Sequence, residues 1–539
     1  MSPLAAPESR VPRWGMVVDL NRCIGCQTCT IACKHANDTP PGVQWRQVLD
    51  VELGTFPDVE RLFLVTGCQH CDNPPCVPVC PTGATYRRPD GIVAVDYDVC
   101  IGCASCAVAC PYQARHLVND RALYFHDRDS IQERAVAHPE RLGVVQKCTF
   151  CVERVDDARA KGATPGVDLS ATPACAASCI TQALRFGDFN DPTSTISALV
   201  RDHKSFGLNE DLGTRPMIRY LYETPAIPGC EGAARDQDDD RLRDRENPLA
   251  GKRQERWDFR AAMNFILGGL GSGMAVVTAI AWAFFGLAPA MAGALFVAAG
   301  IVMAVGLTFV FFKIGRKSRF LRALSRPRTS WMSREIYAVG AFYALVGANV
   351  LWPHPVFPPL VGAAAFAFLY CQARILFASK GIPAWRAPLM PKMIVASGLF
   401  EGLGALAALL GSAATPVSPA VAAVALIGLA LLNAGLWHAY RTGADGNGVP
   451  PLARDELAAA TPWLHGIGHA VPAALGATAL FSSAGPASAL LAFAGLAAGI
   501  GGALWKFIVI TRASYFQGLA LPKLPRRGSG ARAATAGRA

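Results

Sequence analysis

The sequence predicts two structural units: an N-terminal α+β head organised around cysteines, and a C-terminal all-α bundle of eight transmembrane helices. Three observations predict this division. Of the 18 cysteines among 539 residues, sixteen fall between Cys23 and Cys179. Long apolar stretches occupy the second half only. Net charge reverses between the halves: residues 1–251 carry 26 Lys/Arg against 33 Asp/Glu, and residues 252–539 carry 25 against 7.

Residues 14–190 alternate short strand-like pieces ("GMVVDL", "RLFLVTG", "GIVAVD") with cysteine groups and Gly/Pro/Asp turns. The cysteines repeat in fours. Cys23, Cys26, Cys29 and Cys33 form C-x2-C-x2-C-x3-C, and Cys100, Cys103, Cys106 and Cys110 repeat that spacing. Cys68, Cys71, Cys76 and Cys80 form C-x2-C-x4-C-x3-C, while Cys148, Cys151, Cys175 and Cys179 form C-x2-C-x23-C-x3-C. The first of these spacings is the ligand pattern of bacterial ferredoxins. Three thiolates hold one iron–sulfur cube, and the fourth, a helical turn further on, reaches a neighbouring one. Sixteen thiolates divide into four [4Fe–4S] clusters, which makes the head two double-cluster ferredoxin-like modules. Proline follows Cys80 and Cys110, as the pattern asks, but Lys34 and Ile180 follow Cys33 and Cys179. Zinc also binds paired C-x2-C units, yet it needs four ligands converging on one ion, which a displaced fourth cysteine does not give. Cys230 and Cys371 have no partner by spacing and read as plain residues.

The opening "MSPLAAPESRVPRWGMVVDL" holds no long apolar run, so the head is expected to stay in a reducing cytoplasm, where thiols bind metal rather than pair as disulfides. Residues 1–229 form the head. Residues 230–258, "CEGAARDQDDDRLRDRENPLAGKRQERWD", read as a solvated charged linker, and 517–539 as a basic disordered tail. Between them, 259–516 hold apolar segments at 262–286, 288–312, 335–352, 356–378, 393–411, 417–440, 463–484 and 486–510. Most reach the roughly 20 residues that cross a bilayer as helix. Their loops alternate in charge. Residues 313–335 hold eight Lys/Arg and 374–392 hold four; Arg441 and Arg454 sit in the next loop on that side, and Arg526 and Arg527 in the tail. The intervening loops hold none. The positive-inside rule makes the basic side cytoplasmic, together with both termini and the head, in a bacterial inner membrane. The basic excess is therefore a membrane pattern, and nucleic acid is not a partner: no basic patch interleaved with aromatics occurs in the head.

A row of clusters makes sense as a path with an entry and an exit. Joined to a membrane bundle, it points to a lipid-borne quinone at the exit.

On these residues the chain resembles a known family. The stretches "CIGCQTCTIACK", "CQHCDNPPCVPVCPTGAT", "DYDVCIGCASCAVACPYQAR" and "KCTFCVERV" resemble the four-cluster electron-transfer subunits of dimethyl sulfoxide reductase-type molybdenum oxidoreductases. "RALSRPRTSWMSREIY" and "YCQARILFASKGIPAW" resemble their eight-helix membrane anchor, so that two subunits would be fused here. The resemblance implies that Cys23, Cys26 and Cys29 share a cluster with Cys179, and Cys33 with Cys148, Cys151 and Cys175. It likewise joins Cys68, Cys71 and Cys76 to Cys110, and Cys80 to Cys100, Cys103 and Cys106. It also implies a separate catalytic subunit carrying a molybdopterin cofactor, so no catalytic residue for substrate chemistry is expected in this chain. Two departures stand out. Lys313, in "KIGRK", replaces a histidine that sulfoxide-reducing anchors use towards quinol, and the loop charges turn the head inward where those enzymes face the periplasm. Cytoplasm-facing relatives, such as quinone-linked sulfite dehydrogenases and phenylacetyl-CoA:acceptor oxidoreductases, fit better.

Candidates for touching quinone are the polar residues near the basic ends: Lys313, Arg316, Trp331, Arg334, Glu335, His438, His465 and His469, with Glu401 deeper in its helix. His465 and His469 share a helical face but do not make a haem site, whose two axial ligands come from different helices. The expected function is electron transfer between the molybdopterin subunit and the quinone pool, towards quinone. The alternatives are an ion-translocating module driven by a ferredoxin-like head, a periplasm-facing reductase subunit working from quinol, and a zinc-stabilised scaffold.

Overall fold

The computed structural model describes residues 11–55, 58–125, 128–135, 137–222, 242–410 and 417–519. Cys230 with the first part of the charged linker, and the basic tail beyond residue 519, lie outside those residues.

The head is built on a four-stranded sheet. Trp14–Asp19 lies inside it, antiparallel to Leu184–Asp188 on one side and parallel to Ile218–Leu221 on the other, with Ser205–Phe206 at the edge. The alternation of "WGMVVD" is fully covered: Met16 and Val18 face the main core with Phe150, Phe186 and Tyr220, while Val17 packs on Ile196. Around this sheet, hairpins Arg46–Thr55/Asp58–Gly67, Thr85–Arg87/Val93–Val95 and His116–Val118/Val144–Gln146 carry the cysteine turns.

The sequence repeat is repeated in the backbone. In both "CIGC" turns the glycine is left-handed (Gly25 and Gly102, φ 71° each), and the residue after the second cysteine is left-handed too (Gln27 φ 60°, Ala104 φ 62°). Helices Thr28–Asn37 and Ser105–Val108 start immediately after. At Gly102 a side chain would strike the carbonyl of Gly143, so the turn requires glycine for both space and conformation.

Among the described residues eight long helical rods follow: α1 Phe259–Phe285, α2 Pro289–Lys313, α3 Trp331–Leu351, α4 Phe357–Ala378, α5 Met390–Leu410, α6 Pro419–Thr442, α7 composed of Pro451–Trp463, Leu464–Ala470 and Val471–Leu480, and α8 Ala484–Phe507. Six of them (α1, α2, α4, α5, α6 and α8) are long and apolar enough to cross a membrane. The other two start earlier than their apolar segments. α3 begins at Trp331 and takes in Ser333 and Arg334, and α7 begins at Pro451, holds Pro462 near the end of its first piece and continues into a π-helical stretch. Proline removes a backbone donor from the α-helical ladder, and the wider π turn begins just after it, at Leu464. α1 is central, packed on α2, α4, α5 and α8. Where α1 meets α5, the backbone of Gly273 touches that of Gly398 and Gly402, leaving no space for a side chain. The outer faces of α2, α6 and α8 expose Ile301, Val424, Leu431, Phe493 and Ile500, an apolar belt suited to lipid and not to water.

The head sits on the basic end of the bundle, docked by the loop that reads in sequence as a topology signal. Arg316 donates to the carbonyls of Leu142 (2.8 Å) and Glu140 (2.9 Å), and Arg319 to that of Tyr97 (2.8 Å). Ser333 donates to Pro81 O (3.2 Å), and Gly315 lies against Gly143. The last part of the expected solvated linker is also folded in. Gln254 and Trp257 are buried, and Gln254 donates to the carbonyls of Trp257 (2.8 Å) and Ile510 (2.9 Å) at the bundle's end. Its polar side chain satisfies the carbonyls that α8 leaves open there.

Candidate electron path and quinone cavity

Among the described cysteines none forms a disulfide. The head brings them together in four neighbourhoods that cross the sequence groups. Cys33 has Cys148, Cys151 and Cys175 as electrostatic neighbours, and Cys23 has Cys26 and Cys179. Cys71 has Cys68, Cys76 and Cys110, and Cys106 has Cys80, Cys100 and Cys103. The crossing follows from the helical turn after each third cysteine, which directs the fourth away from its own turn.

The donor chemistry fits iron–sulfur clusters. Zinc would draw its sulfurs to about 2.3 Å from one point; among the described residues, no three Cys, His, Asp or Glu side chains converge to hold a single ion. Burial pushes the Cys29 and Cys103 thiols up to about 11, and those of Cys110 and Cys148 up to about 12. Thiols so placed ionise only if positive charge replaces the lost water, which bound iron supplies. Some positive charge is already built in: Arg115 donates to Cys76 Sγ at 2.9 Å, and the buried Nε and Nη1 of Arg46 lack partners, free to face an anionic cluster.

The two ends of the row differ. Cys26 is the one exposed cysteine among the described residues, and Ile24, Ile31 and Ile180 beside it are 57%, 62% and 67% exposed. Cys103, at the other end, lies in the wall of a cavity of about 380 Å³ between head and bundle. That cavity is apolar, lined by Phe265, Leu307, Phe311 and Val339 among others, with Lys313 and Glu335 as its charged members. Lys313 Nζ lies 4.7 Å from the centre of the Trp257 ring, whose Nε1 faces the Cys103 carbonyl at 3.4 Å. Glu335 is 6% exposed; its Oε1 has no partner, and Asn264 and Gln372 stand beside the carboxyl.

Of the nine residues expected to touch quinone, Lys313 and Glu335 line the cavity. Arg316 docks the head, and Arg334 donates to the carbonyls of Pro327 and Arg328 (2.7 Å each), stacked on Trp331. His438, His465 and His469 lie on α6 and α7, away from the cavity wall. Glu401 pairs with Lys506 at 2.8 Å deep between α5 and α8. Sequence reasoning missed Lys506, the lone charge inside an apolar segment, together with Trp257 and Asn264. The first carried a readable signal; the other two are ordinary residues until folding places them.

Buried thiol quartets in a head seated on a membrane-embedded helical bundle define an iron–sulfur electron-transfer protein. Comparison with known proteins agrees. Residues 59–125 match the family model described as a 4Fe-4S dicluster domain. The chain is 40% identical over 221 residues to a selenate reductase subunit of Mesobacillus selenatarsenatis, covering 39% of this chain and 72% of the relative. It is 38% identical over 222 residues to a sulfite dehydrogenase subunit of Allochromatium vinosum (38% of this chain, 81% of the relative). It is also 35% identical over 239 residues to the arsenate respiratory reductase iron–sulfur subunit of a Shewanella species (39% and 96%). The chain belongs to this family, the iron–sulfur electron-transfer subunits of molybdenum oxidoreductase complexes. The matches leave about three fifths of the chain unaligned, so the joining of head and bundle is a feature of this chain that they do not cover.

Proposed function

We propose that this chain is both electron-transfer and membrane-anchor subunit of a molybdenum oxidoreductase, carrying electrons from a separate molybdopterin-bearing catalytic subunit to membrane quinone. The observation that carries this reading is Cys103, which belongs to the last thiol quartet and to the wall of the membrane-side cavity at once. The sixteen cysteines ligate in the sets Cys23/26/29/179, Cys33/148/151/175, Cys68/71/76/110 and Cys80/100/103/106. Loaded there, four [4Fe–4S] clusters supply one-electron carriers along the head.

The catalytic subunit docks at the Cys26 end, where Ile24, Ile31 and Ile180 offer an apolar surface beside the first quartet. At the other end the quinone ring enters the cavity, whose volume suits a small organic molecule. Quinone reduction takes two electrons and two protons. The electrons arrive from the Cys103 side, Glu335 gives a proton to one ring oxygen, and Lys313 draws the other oxygen with its positive charge and gives it the second proton from its ammonium, both groups regaining their protons from water on the head side. Apolar walls keep bulk water from the ring. All eight rods span the membrane, with the head on the cytoplasmic side where the basic loops lie.

The chain purified with its catalytic partner should hold about sixteen irons and a broad absorbance near 400 nm that a strong reductant bleaches. A colourless, zinc-loaded or iron-poor preparation would refute the reading. For orientation, a reporter active only in the periplasm, fused to the C-terminus, should stay silent; strong activity would reverse the assigned sidedness.

A further inference from the structure

Thiol ligation leaves three buried cations of the head unexplained. Arg46, Lys147 and Arg115 are 0%, 0% and 4% exposed, and the strongest influences favouring their charge are thiols, not carboxylates. A charge so placed is costly unless something anionic faces it. The fourth basic group in this region, His70, is not a further cation. Its ring stacks on Phe150 at 3.7 Å, its Nδ1 accepts from Val93 N–H, and burial holds it neutral.

The neighbours of the three cations are thiols, and they follow a pattern. Arg46 acts on Cys33, Cys148 and Cys175 and, across a quartet boundary, on Cys29. Lys147 has Cys148 on one side and Cys68 and Cys76 on the other; its Nζ donates to the carbonyls of Cys148 (2.6 Å) and Val93. Arg115 has Cys68, Cys76 and Cys110 on one side and Cys106 and Cys100 on the other. Four quartets in a row have three boundaries, and one cation stands at each.

We propose that Arg46, Lys147 and Arg115 are positioning residues of the electron path, each holding a fixed positive charge between two consecutive quartets and raising the potential of both. This rests on the quartet assignment above. An added electron on either side of a boundary is attracted by the charge between them, in an interior where such attraction is strong. Cluster potentials respond to net charge and to hydrogen bonds at sulfur, and Arg115 supplies both at Cys76. Neighbouring reduced centres would otherwise repel each other. A charge shared by each pair keeps consecutive potentials close, so that no centre becomes a trap.

The test is a potentiometric titration of the intact complex followed by electron paramagnetic resonance, each signal assigned by exchanging one cysteine of each quartet for serine. Arg46→Gln, Lys147→Gln and Arg115→Gln are compared with the charge-keeping Arg46→Lys, Lys147→Arg and Arg115→Lys. Each neutral variant should lower two midpoint potentials of four, by at least tenfold in the reduced-to-oxidised ratio, which is about 59 mV for a one-electron couple. The affected pair should step along the row, first and second, second and third, third and fourth, and the charge-keeping variants should shift the same pair less. A purely structural role predicts no such pairing, so an unmoved set, or a uniform shift of all four, overturns the proposal. Where a neutral variant loses iron, the charge-keeping exchange decides, because moving the charge must still move that same pair. Failure of the quartet reading looks different: the unaltered complex would then lack four separate signals.

Discussion

Exchanging Glu335 for Gln should leave the electron path loaded and stop it at its last step. Quinone reduction by the assembled complex is expected to fall by about 10²–10⁴-fold, the usual worth of a positioned proton donor, while substrate oxidation coupled to a soluble dye is retained. The shape of the side chain survives the exchange and its proton does not. Glu335 is the group to test because its Oε1 is buried without a partner at the wall of an apolar cavity, a costly arrangement that a ligand oxygen would relieve. Lys313→Met should weaken quinone turnover as well, through the lost charge opposite the second ring oxygen. His465→Ala, away from the cavity, should change it little. If quinone and dye activities fell together in Glu335→Gln, or neither fell, the cavity would not be the site of quinone chemistry.

The contrast between Glu335 and Lys313, which line the cavity, and the other seven candidates shows what sequence can and cannot reveal here. Spacing identifies a cysteine as a ligand because the thiol chemistry and the turn are both local. Gly25 with Gln27, and Gly102 with Ala104, reproduce the same left-handed steps wherever "CIGC" occurs. Which quartet takes the fourth cysteine is not local, and it entered through family resemblance. Apolar segments are legible for a similar reason, since crossing lipid is a matter of length and composition. α3 and α7 were less so. α3 carries Ser333 and Arg334 in its first turn, which faces the cavity through Met332 and the head through Ser333, and α7 contains a proline just before its π stretch.

Basic loops were readable as a charge bias but not as contacts. Arg316 and Arg319 look like topology signals in the sequence and are spent on carbonyls of the head. Arg46, Lys147 and Arg115 sit in unremarkable sequence surroundings. Their role depends on which thiols the fold brings to them, and no spacing rule encodes that.

Breaking the ion pair between Glu401 and Lys506 should be the most destabilising change in the bundle. Lys506 Nζ lies 2.8 Å from Glu401 Oε2, both side chains are buried, and Ser397 hydroxyl donates to the other carboxylate oxygen while accepting from Trp505 Nε1 at 2.8 Å. Gly269 lies directly against the ammonium and Gly502 against the carboxylate, so neither group has space to turn elsewhere. Lys506→Met should cost about 3–5 kcal/mol, because it strands a carboxylate among apolar helices. Glu401→Gln should be of the same order, since it strands the ammonium. The double variant should recover most of the loss, as two charges removed together leave nothing uncompensated. Thermal unfolding of the four proteins in one detergent, closed as a double-mutant cycle, measures this directly. Additive losses would mean that the two charges are solvated separately and that the contact does not bind α5 to α8. With the pair intact, these charges neutralise each other and do not form a chain towards the cavity, which is why the protons for quinone are assigned to Glu335 and Lys313 instead.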